Sequence, residues 1–204
     1  MVLAATSWLM IPLAWLPGHR GQRRISGHLG SAVTYVAIAI GGLAWTTMPL
    51  MAQPRFIGSL RIGLGVVGAF LVVAGVILWV WSARTLVPSV GWSDEINPEY
   101  LVIQGPYRWT RHPIYVGVVI LMIGWILLNG ALYSLLFCPI FYLLFHFEAY
   151  LEESRVLATK FGDEFQQYKE QVPALFGCVG TAILISIYLL FIVAVALALV
   201  PTAG

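Results

Sequence analysis

The sequence is short of charge. Asp, Glu, Lys and Arg make up 10% of its 204 residues, against roughly a quarter in an ordinary soluble domain. The deficit is uneven: none of these four residue types occurs in 1–19, 25–54, 62–83, 112–147 or 171–204. With 60% of residues hydrophobic and a mean hydropathy of +0.88, the composition is that of an integral membrane protein. An excess of positive charge is missing too. A net charge of +2 is too small to hold a polyanion, so nucleic acid is excluded as a partner. Cysteine is scarce: Cys138 and Cys178 both lie in or beside apolar runs and read as small hydrophobes, neither a disulfide nor a metal pair. No basic stretch precedes the first apolar run, which argues against a cleaved signal peptide.

What remains is a set of long uncharged runs. A spanning helix needs about 20 apolar residues, and 28–50, 62–82 and 178–200 each hold one. Run 112–147 is too long for one helix, and Asn129-Gly130 near its middle is a turn signal. It reads as a helical hairpin with arms near 113–129 and 131–148. Residues 2–16 are short and interrupted by Pro12, so the chain is expected to be an all-α, polytopic membrane bundle of five or six helices. One membrane domain is expected, with N-terminal helices in 1–82, a chemistry-bearing region in 83–176 and a last helix in 177–204.

Lys and Arg then set the sides. Arg20, Arg23, Arg24, Arg84, Arg108, Arg111, Arg155, Lys160 and Lys169 fall on one side, and Arg55 and Arg61 on the other. The positive-inside rule puts 17–27, 83–112 and 149–176 in the cytoplasm. The two polar segments flanking the hairpin therefore share a side, and the hairpin can bring them together.

Neither segment is a plain connector. Residues 83–112 carry six charges but also Trp92, Tyr100, Tyr107, Trp109 and the apolar Leu101, Val102 and Ile103. The pattern predicts a short extended piece, then a turn at Pro106, with Gly105 free to let the backbone approach a ligand. RHPIYVG follows at 111–117. Pro113 suits the first helical position and His112 the N-cap. The helix start offers unpaired N–H groups and partial positive charge, which favour an anion such as a carboxylate. Tyr115 can hydrogen-bond into a pocket, and Gly117 allows close approach of a neighbour or ligand. The same features also describe an ordinary interfacial helix start.

At the far end of the hairpin an apolar helix becomes charged. His146, Tyr150 and Glu153 are four and three residues apart and would stack on one face, and Glu148 with Glu152 makes a second such pair. Glu152 and Arg155 could form a surface ion pair. Phe161-Gly162 is expected to end the helix, Asp163 to cap a short helix over 164–171, and Pro173 to stop it. An amphipathic helix lying on the headgroups explains these charges. It does not explain His146 and Glu148, which sit at the boundary where ionisable groups are costly and usually paired.

GPYRWTRHPIYVG, a hairpin, and then EExxxLxxxFGDEFxxYxxxVP together resemble the membrane-embedded methyltransferases of the isoprenylcysteine carboxyl methyltransferase and phospholipid methyltransferase superfamily. The resemblance covers about residues 84–176. It implies S-adenosylmethionine as cofactor, held on the cytosolic side between the RHP segment and the Glu-rich helix. By that likeness Leu101, Val102, Gln104, Gly105 and Tyr107 would line the cofactor. Arg111, His112 and Tyr115 would lie against it, and Glu152 or Glu153 would hold it or the catalytic arginine. The family's Glu pair usually lies eight and seven residues before the Phe of Phe-Gly. Here those positions are Glu153 and Ser154, with the second Glu at 152. An arginine often lies one turn before the pair, where this chain has Ala149.

Methyl transfer from a sulfonium asks the protein mainly to align and desolvate the reactants. A carboxylate acceptor needs no base, whereas an amine must lose a proton, which His146, Glu148 or Glu153 could accept. The candidate catalytic set is His112, Tyr115, Glu153, His146 and Glu148. The expected partners are membrane lipids and a lipophilic acceptor. Two other classes compete. An NADPH-dependent lipid reductase shares an RHP element, but there Asn and Glu stand where this chain has Ile114 and Val118. A non-enzymatic scaffold or transporter subunit would bind no cofactor.

Overall fold

The structure is a computed structural model, and it describes residues 45–90, 98–136 and 138–199. The expected helix at 2–16 and most of that at 28–50 lie outside the described residues. Residues 45–47 are helical and run into a 3-10 turn at Met48–Leu50. Among the described residues the fold is helical, with no strand and one isolated antiparallel bridge, Arg55 to Ala131.

The first long helix, α1, is Gly58–Val90. The expected span ended at 82, where Arg84 follows, but a helix does not stop where the bilayer does. At about 1.5 Å per residue its 33 residues run roughly 50 Å, well past a hydrocarbon core of about 30 Å. Residues 83–90 are therefore a helical projection. Pro88 is tolerated there close to the helix end. Ser89 Oγ donates to the Tyr100 carbonyl at 2.6 Å, and Glu99 N donates to the Ser89 carbonyl at 2.7 Å. The chain returns against the projection from 98 onward.

The hairpin begins with α2, Pro113–Asn129, which packs antiparallel on α1 along a seam of small residues. On α1 the seam is Gly68 and Gly75, and on α2 Gly117 and Gly124, each pair seven residues apart. Ser82 and Ser89 on α1, and Thr110 and Ala131 on either side of α2, continue the same spacing, and all eight residues are buried. A Cβ at Gly68 would lie 2.4 Å from Leu128 N, one at Gly75 2.6 Å from Leu121 N, and one at Gly124 2.6 Å from Val72 N. The two backbones touch, which is how helices associate where lipid removes the hydrophobic driving force. A strict seven-residue repeat keeps such a seam facing its partner over several turns.

Gly130, with φ 65°, ends α2 as the Asn129-Gly130 signal predicts. The second arm does not start at 131, however. A single helical turn, α3 (Leu132–Leu135), intervenes before α4 (Cys138–Glu152). The turn is pinned by the segment before α1. Phe56 N donates to the Gly130 carbonyl, Leu132 N to the Pro54 carbonyl, and Arg55 Nη1 to the Asn129 carbonyl at 2.7 Å. Gln53 bonds Ser134 through both its amide oxygen and nitrogen. Arg55 and Arg61, the two cations assigned by sequence to one side, both sit at this tip.

Beyond α4 the helix passes through a π turn, Glu153–Leu157, into α5, Ala158–Gln171. Gly162 inside α5 has φ 49° and ψ −120°, a kink at the position expected to end the helix. After an extended stretch at 172–176, α6 (Gly177–Leu199) covers the run expected over 178–200. By length and composition Gly58–Ser89 and the run Leu132–Gln171 could each cross a membrane, and Pro113–Asn129 is a shorter apolar helix. Within Leu132–Gln171, the stretch up to Phe147 is uncharged and suits a bilayer, and the charged remainder does not. The core joins Trp45 and Met48 to Val116, Val119 and Met122 of α2 and to Phe141 and Phe145 of α4.

Candidate functional site

The two ends of the hairpin meet. Residues 101–103 form no regular element, Gln104 has an extended backbone, and a 3-10 turn at Gly105–Arg108 follows, matching the predicted turn at Pro106. Gly105 has φ 56°, a conformation costly for any residue with a Cβ, and it packs beside Trp81 and Thr85 of the α1 projection. Trp109 meets Trp81 edge to face at 5.5 Å. The stretch at 172–176 then receives the RHP segment. Arg111 N donates to the Pro173 carbonyl at 2.8 Å, His112 N to the Ala174 carbonyl at 3.1 Å, and Thr110 Oγ1 to the same carbonyl at 2.8 Å.

Backbone pairing on that line sends the side chains of 111 and 112 toward the returning helix. Arg111 grips Glu153 with two prongs, Nε to Oε1 at 2.8 Å and Nη2 to Oε2 at 3.1 Å. Its remaining nitrogen donates to the carbonyls of Lys169 and Val172. His112 sits between the two glutamates, Nε2 at 3.0 Å from Glu153 Oε1 and Nδ1 at 3.4 Å from Glu152 Oε2. Tyr115 donates its hydroxyl to Glu152 Oε2 at 3.2 Å and lies stacked between His112 and Phe145, each ring 5.4 Å away.

Two neighbouring glutamates can serve one histidine because of the π turn. In a regular α-helix consecutive side chains diverge by about 100°. Here Glu152 closes α4 and Glu153 opens the wider turn, and both carboxylates reach His112. Such turns often mark functional sites in helices.

The ion set is held in its charged form. Burial works against a charge on His112, but hydrogen bonds to Glu152 and Glu153, and their charges, outweigh it and lift the imidazole to about 9. Burial likewise opposes a charge on Glu153, but hydrogen bonds from His112 and Arg111 and their charges hold its carboxyl down to about 2. Lys169 Nζ stands 3.8 Å from Glu153 Oε2 at the half-exposed rim. Buried Tyr107 lies within range of Glu152; burial first, and then that carboxylate, push its phenol well above the ordinary value. Tyr168 donates its hydroxyl to the Tyr107 carbonyl at 2.6 Å, tying α5 to the same wall.

The remaining sequence candidates divide. Val102 is buried, and Leu101 packs on Phe165 and Tyr168 of α5 and on Val172 just after it, whereas Gln104 is exposed. Gly117 faces Trp79 N and Gly75 of α1, so its small size serves helix packing. His146, Tyr150 and Glu153 do not share a face: Tyr150 is 64% exposed while Glu153 is buried. His146 instead bonds the Tyr142 hydroxyl at 3.2 Å, and that hydroxyl reaches Thr181 of α6 at 2.7 Å. The inward face belongs to Glu148, Glu152 and Glu153, with Glu152 turned to His112 and Tyr115. Glu148 is buried, and its Oε1 has no hydrogen-bond partner. Sequence reading missed Thr110 and the 172–174 carbonyls that orient the RHP segment; the Val-Pro after α5 marked that stretch only as a helix stop.

Residues 64–164 match the sequence model of the phospholipid methyltransferase family. Over 74 residues the chain is 35% identical to a protein-S-isoprenylcysteine O-methyltransferase of Schizosaccharomyces pombe, a stretch that is 36% of this chain and 31% of that protein. The chain thus spans about a third of the length of that curated relative. No solved structure matches it. The chain is similar to phospholipid and isoprenylcysteine methyltransferases over part of its length, and the region matched to the family model runs from α1 through the hairpin to the kink of α5.

Proposed function

We propose that the protein is an S-adenosylmethionine-dependent methyltransferase that acts on a lipophilic, membrane-resident acceptor from the cytoplasmic side of a multi-pass bundle. The observation that carries this reading is the joining of the two hairpin ends by His112 and Tyr115 on one side and Glu152 and Glu153 on the other, inside the region matched to the methyltransferase family. The side assignment rests on the sequence pattern of nine cations against two, with Arg84, Arg108, Arg111, Arg155, Lys160 and Lys169 the described ones on this side and Arg55 and Arg61 at the tip.

The residues fit such a cofactor. The start of α2 has no side-chain cap, and with Pro113 lacking an N–H and His112 N and Val116 N bonded to carbonyls, the N–H groups of Ile114 and Tyr115 are the ones left for a carboxylate. Glu152 offers an acceptor for a hydroxyl or ammonium group, and Val102 and Tyr107 provide a buried apolar wall. S-adenosylmethionine, when bound, supplies a methyl group on a sulfonium whose thioether is the leaving group. The chain's own work is orientation and exclusion of water. Arg111 fixes Glu153, Glu153 and Glu152 fix His112, and His112 with Phe145 fixes the Tyr115 ring. Held so, the site does not have to reorganise when charge shifts in the reaction.

Calorimetry or thermal shift of the purified chain with S-adenosylhomocysteine and with NADPH tests the reading. Stabilisation by the first alone is expected. Stabilisation by NADPH alone would replace the reading with a reductase, and by neither with a non-catalytic protein.

A further inference from the structure

Glu148 stands out within this site because, among the described residues, no hydrogen-bond partner reaches its buried Oε1. It lies on α4 one turn before Glu152 and one turn after Phe145, the ring stacked on Tyr115. The residue is only 6% exposed, and its Oε1 is buried with no hydrogen-bond partner. Tyr115 and Glu152 are its electrostatic neighbours. The local cations are already engaged: Arg111 is on Glu153, and His112 is on Glu152 and Glu153. Among the described residues no ion pair reaches Glu148. A buried carboxylate left unpaired is strongly disfavoured unless a proton or a cation joins it. A buried carboxylate oxygen that no hydrogen bond reaches among the described residues, beside groups already paired with one another, is suited to a cation that arrives with a ligand.

We propose that Glu148 is the seat of an organic cation, a sulfonium or an ammonium group, of a molecule bound in this site. The inference rests on the methyltransferase reading, which offers two sources for that chemistry: the cofactor, and an acceptor whose headgroup carries an amine. The charge of Glu148, and not its volume, is what the ligand requires, so Glu148→Gln separates the two.

The test uses the full chain in nanodiscs, wild type and Glu148→Gln. Affinities are measured calorimetrically for S-adenosylmethionine and S-adenosylhomocysteine. KM and kcat are measured with a phosphatidylethanolamine vesicle and with an S-farnesylcysteine acid. If the cofactor's sulfonium sits on Glu148, the variant loses at least tenfold in affinity for S-adenosylmethionine and stays within twofold for S-adenosylhomocysteine. If the cofactor's ammonium sits there, both affinities fall alike while melting temperature holds. If the acceptor's ammonium sits there, both affinities hold, KM for the amine lipid rises at least tenfold, and KM for the farnesylcysteine acid does not move. Affinities and both KM values all within twofold of wild type would overturn the proposal. So would a uniform loss with a lowered melting temperature, which marks a structural role. A wild-type chain that binds neither cofactor form removes the methyltransferase reading and this proposal with it, whereas a binding wild type with an unchanged variant removes this proposal alone.

Discussion

Arg111 and Glu153, 42 residues apart, are locked by two parallel hydrogen bonds of 2.8 and 3.1 Å in a buried setting. The pair joins the start of α2 to the π turn after α4 and so closes the polar end of the hairpin. Its geometry requires a planar fork. Lysine at 111 would keep the charge but lose the second prong and the bonds to the Lys169 and Val172 carbonyls. We expect Arg111→Lys to lower stability by about 1–3 kcal/mol, since buried acceptors lose their donors. Arg111→Ala should cost more, about 3–5 kcal/mol, because it leaves the carboxylate buried without its main counter-charge. Thermal unfolding of the two variants in detergent checks the order; an alanine variant as stable as the lysine variant would contradict it.

The charges on His112 and Glu153 make stability depend on pH at both ends. His112 is raised to about 9 from 6.5, so its contribution is complete below pH 6.5 and is lost as pH rises through about 9. Glu153 is lowered to about 2 from 4.5, so its contribution is complete above pH 4.5 and is lost as pH falls toward about 2. Melting temperature should therefore have a plateau between about 4.5 and 6.5. His112→Gln should flatten the alkaline limb and shrink the acid limb, because His112 helps to hold Glu153 down, while Arg111 keeps part of that effect. Melts of the full chain across that range decide the matter, and an alkaline limb that persists in the variant would point to another group.

Parts of this fold are legible in the sequence because their cause is local. Asn129-Gly130 announces the hairpin turn through a left-handed glycine, and Phe161-Gly162 announces a kink that only glycine adopts easily. The shared side of the two polar segments follows from where Lys and Arg can sit. Other parts need the third dimension. Arg84 suggested an end to α1, yet the helix continues to Val90 because the 98–110 segment packs against it. The π turn has no sequence period of its own, so spacing arguments put Glu153 with Tyr150 and separated it from Glu152. The seven-residue glycine spacing on α1 and α2 was visible, but its meaning depends on which helix faces which.

That seam gives the third prediction. Alanine at Gly68 or Gly75 places a methyl 2.4–2.6 Å from backbone nitrogen of α2, which no side-chain rotation can relieve. The helices must separate, at a cost of about 1–3 kcal/mol for one site and more for both. Gly63, on the same helix, has nothing within 4 Å of a built Cβ. Gly63→Ala should be neutral or stabilising by up to about 1 kcal/mol, through helix propensity alone. Unfolding of the three variants, side by side, is the measurement. Equal effects at Gly63 and Gly75 would mean that the seam is not the closest contact between the helices.

Tyr115 allows packing to be separated from hydrogen bonding. Its ring is held by stacking on His112 and Phe145, and its hydroxyl by Glu152 Oε2. Tyr115→Phe keeps both stacks and removes one hydrogen bond to a charged acceptor, a loss of about 1.5–3 kcal/mol if nothing replaces it. Glu152 then retains only His112 among these partners, and its carboxylate is freer to turn. Under the proposed function, the expected result is a melting temperature lowered modestly, cofactor affinity reduced by less than tenfold, and kcat reduced more than affinity, because the orientation of the glutamate is lost while the cofactor's apolar wall remains. Tyr115→Leu removes the stacks as well and should lose affinity and stability together. A phenylalanine variant with wild-type kcat would show that the Tyr115 to Glu152 bond supports the fold and takes no part in positioning the reactants.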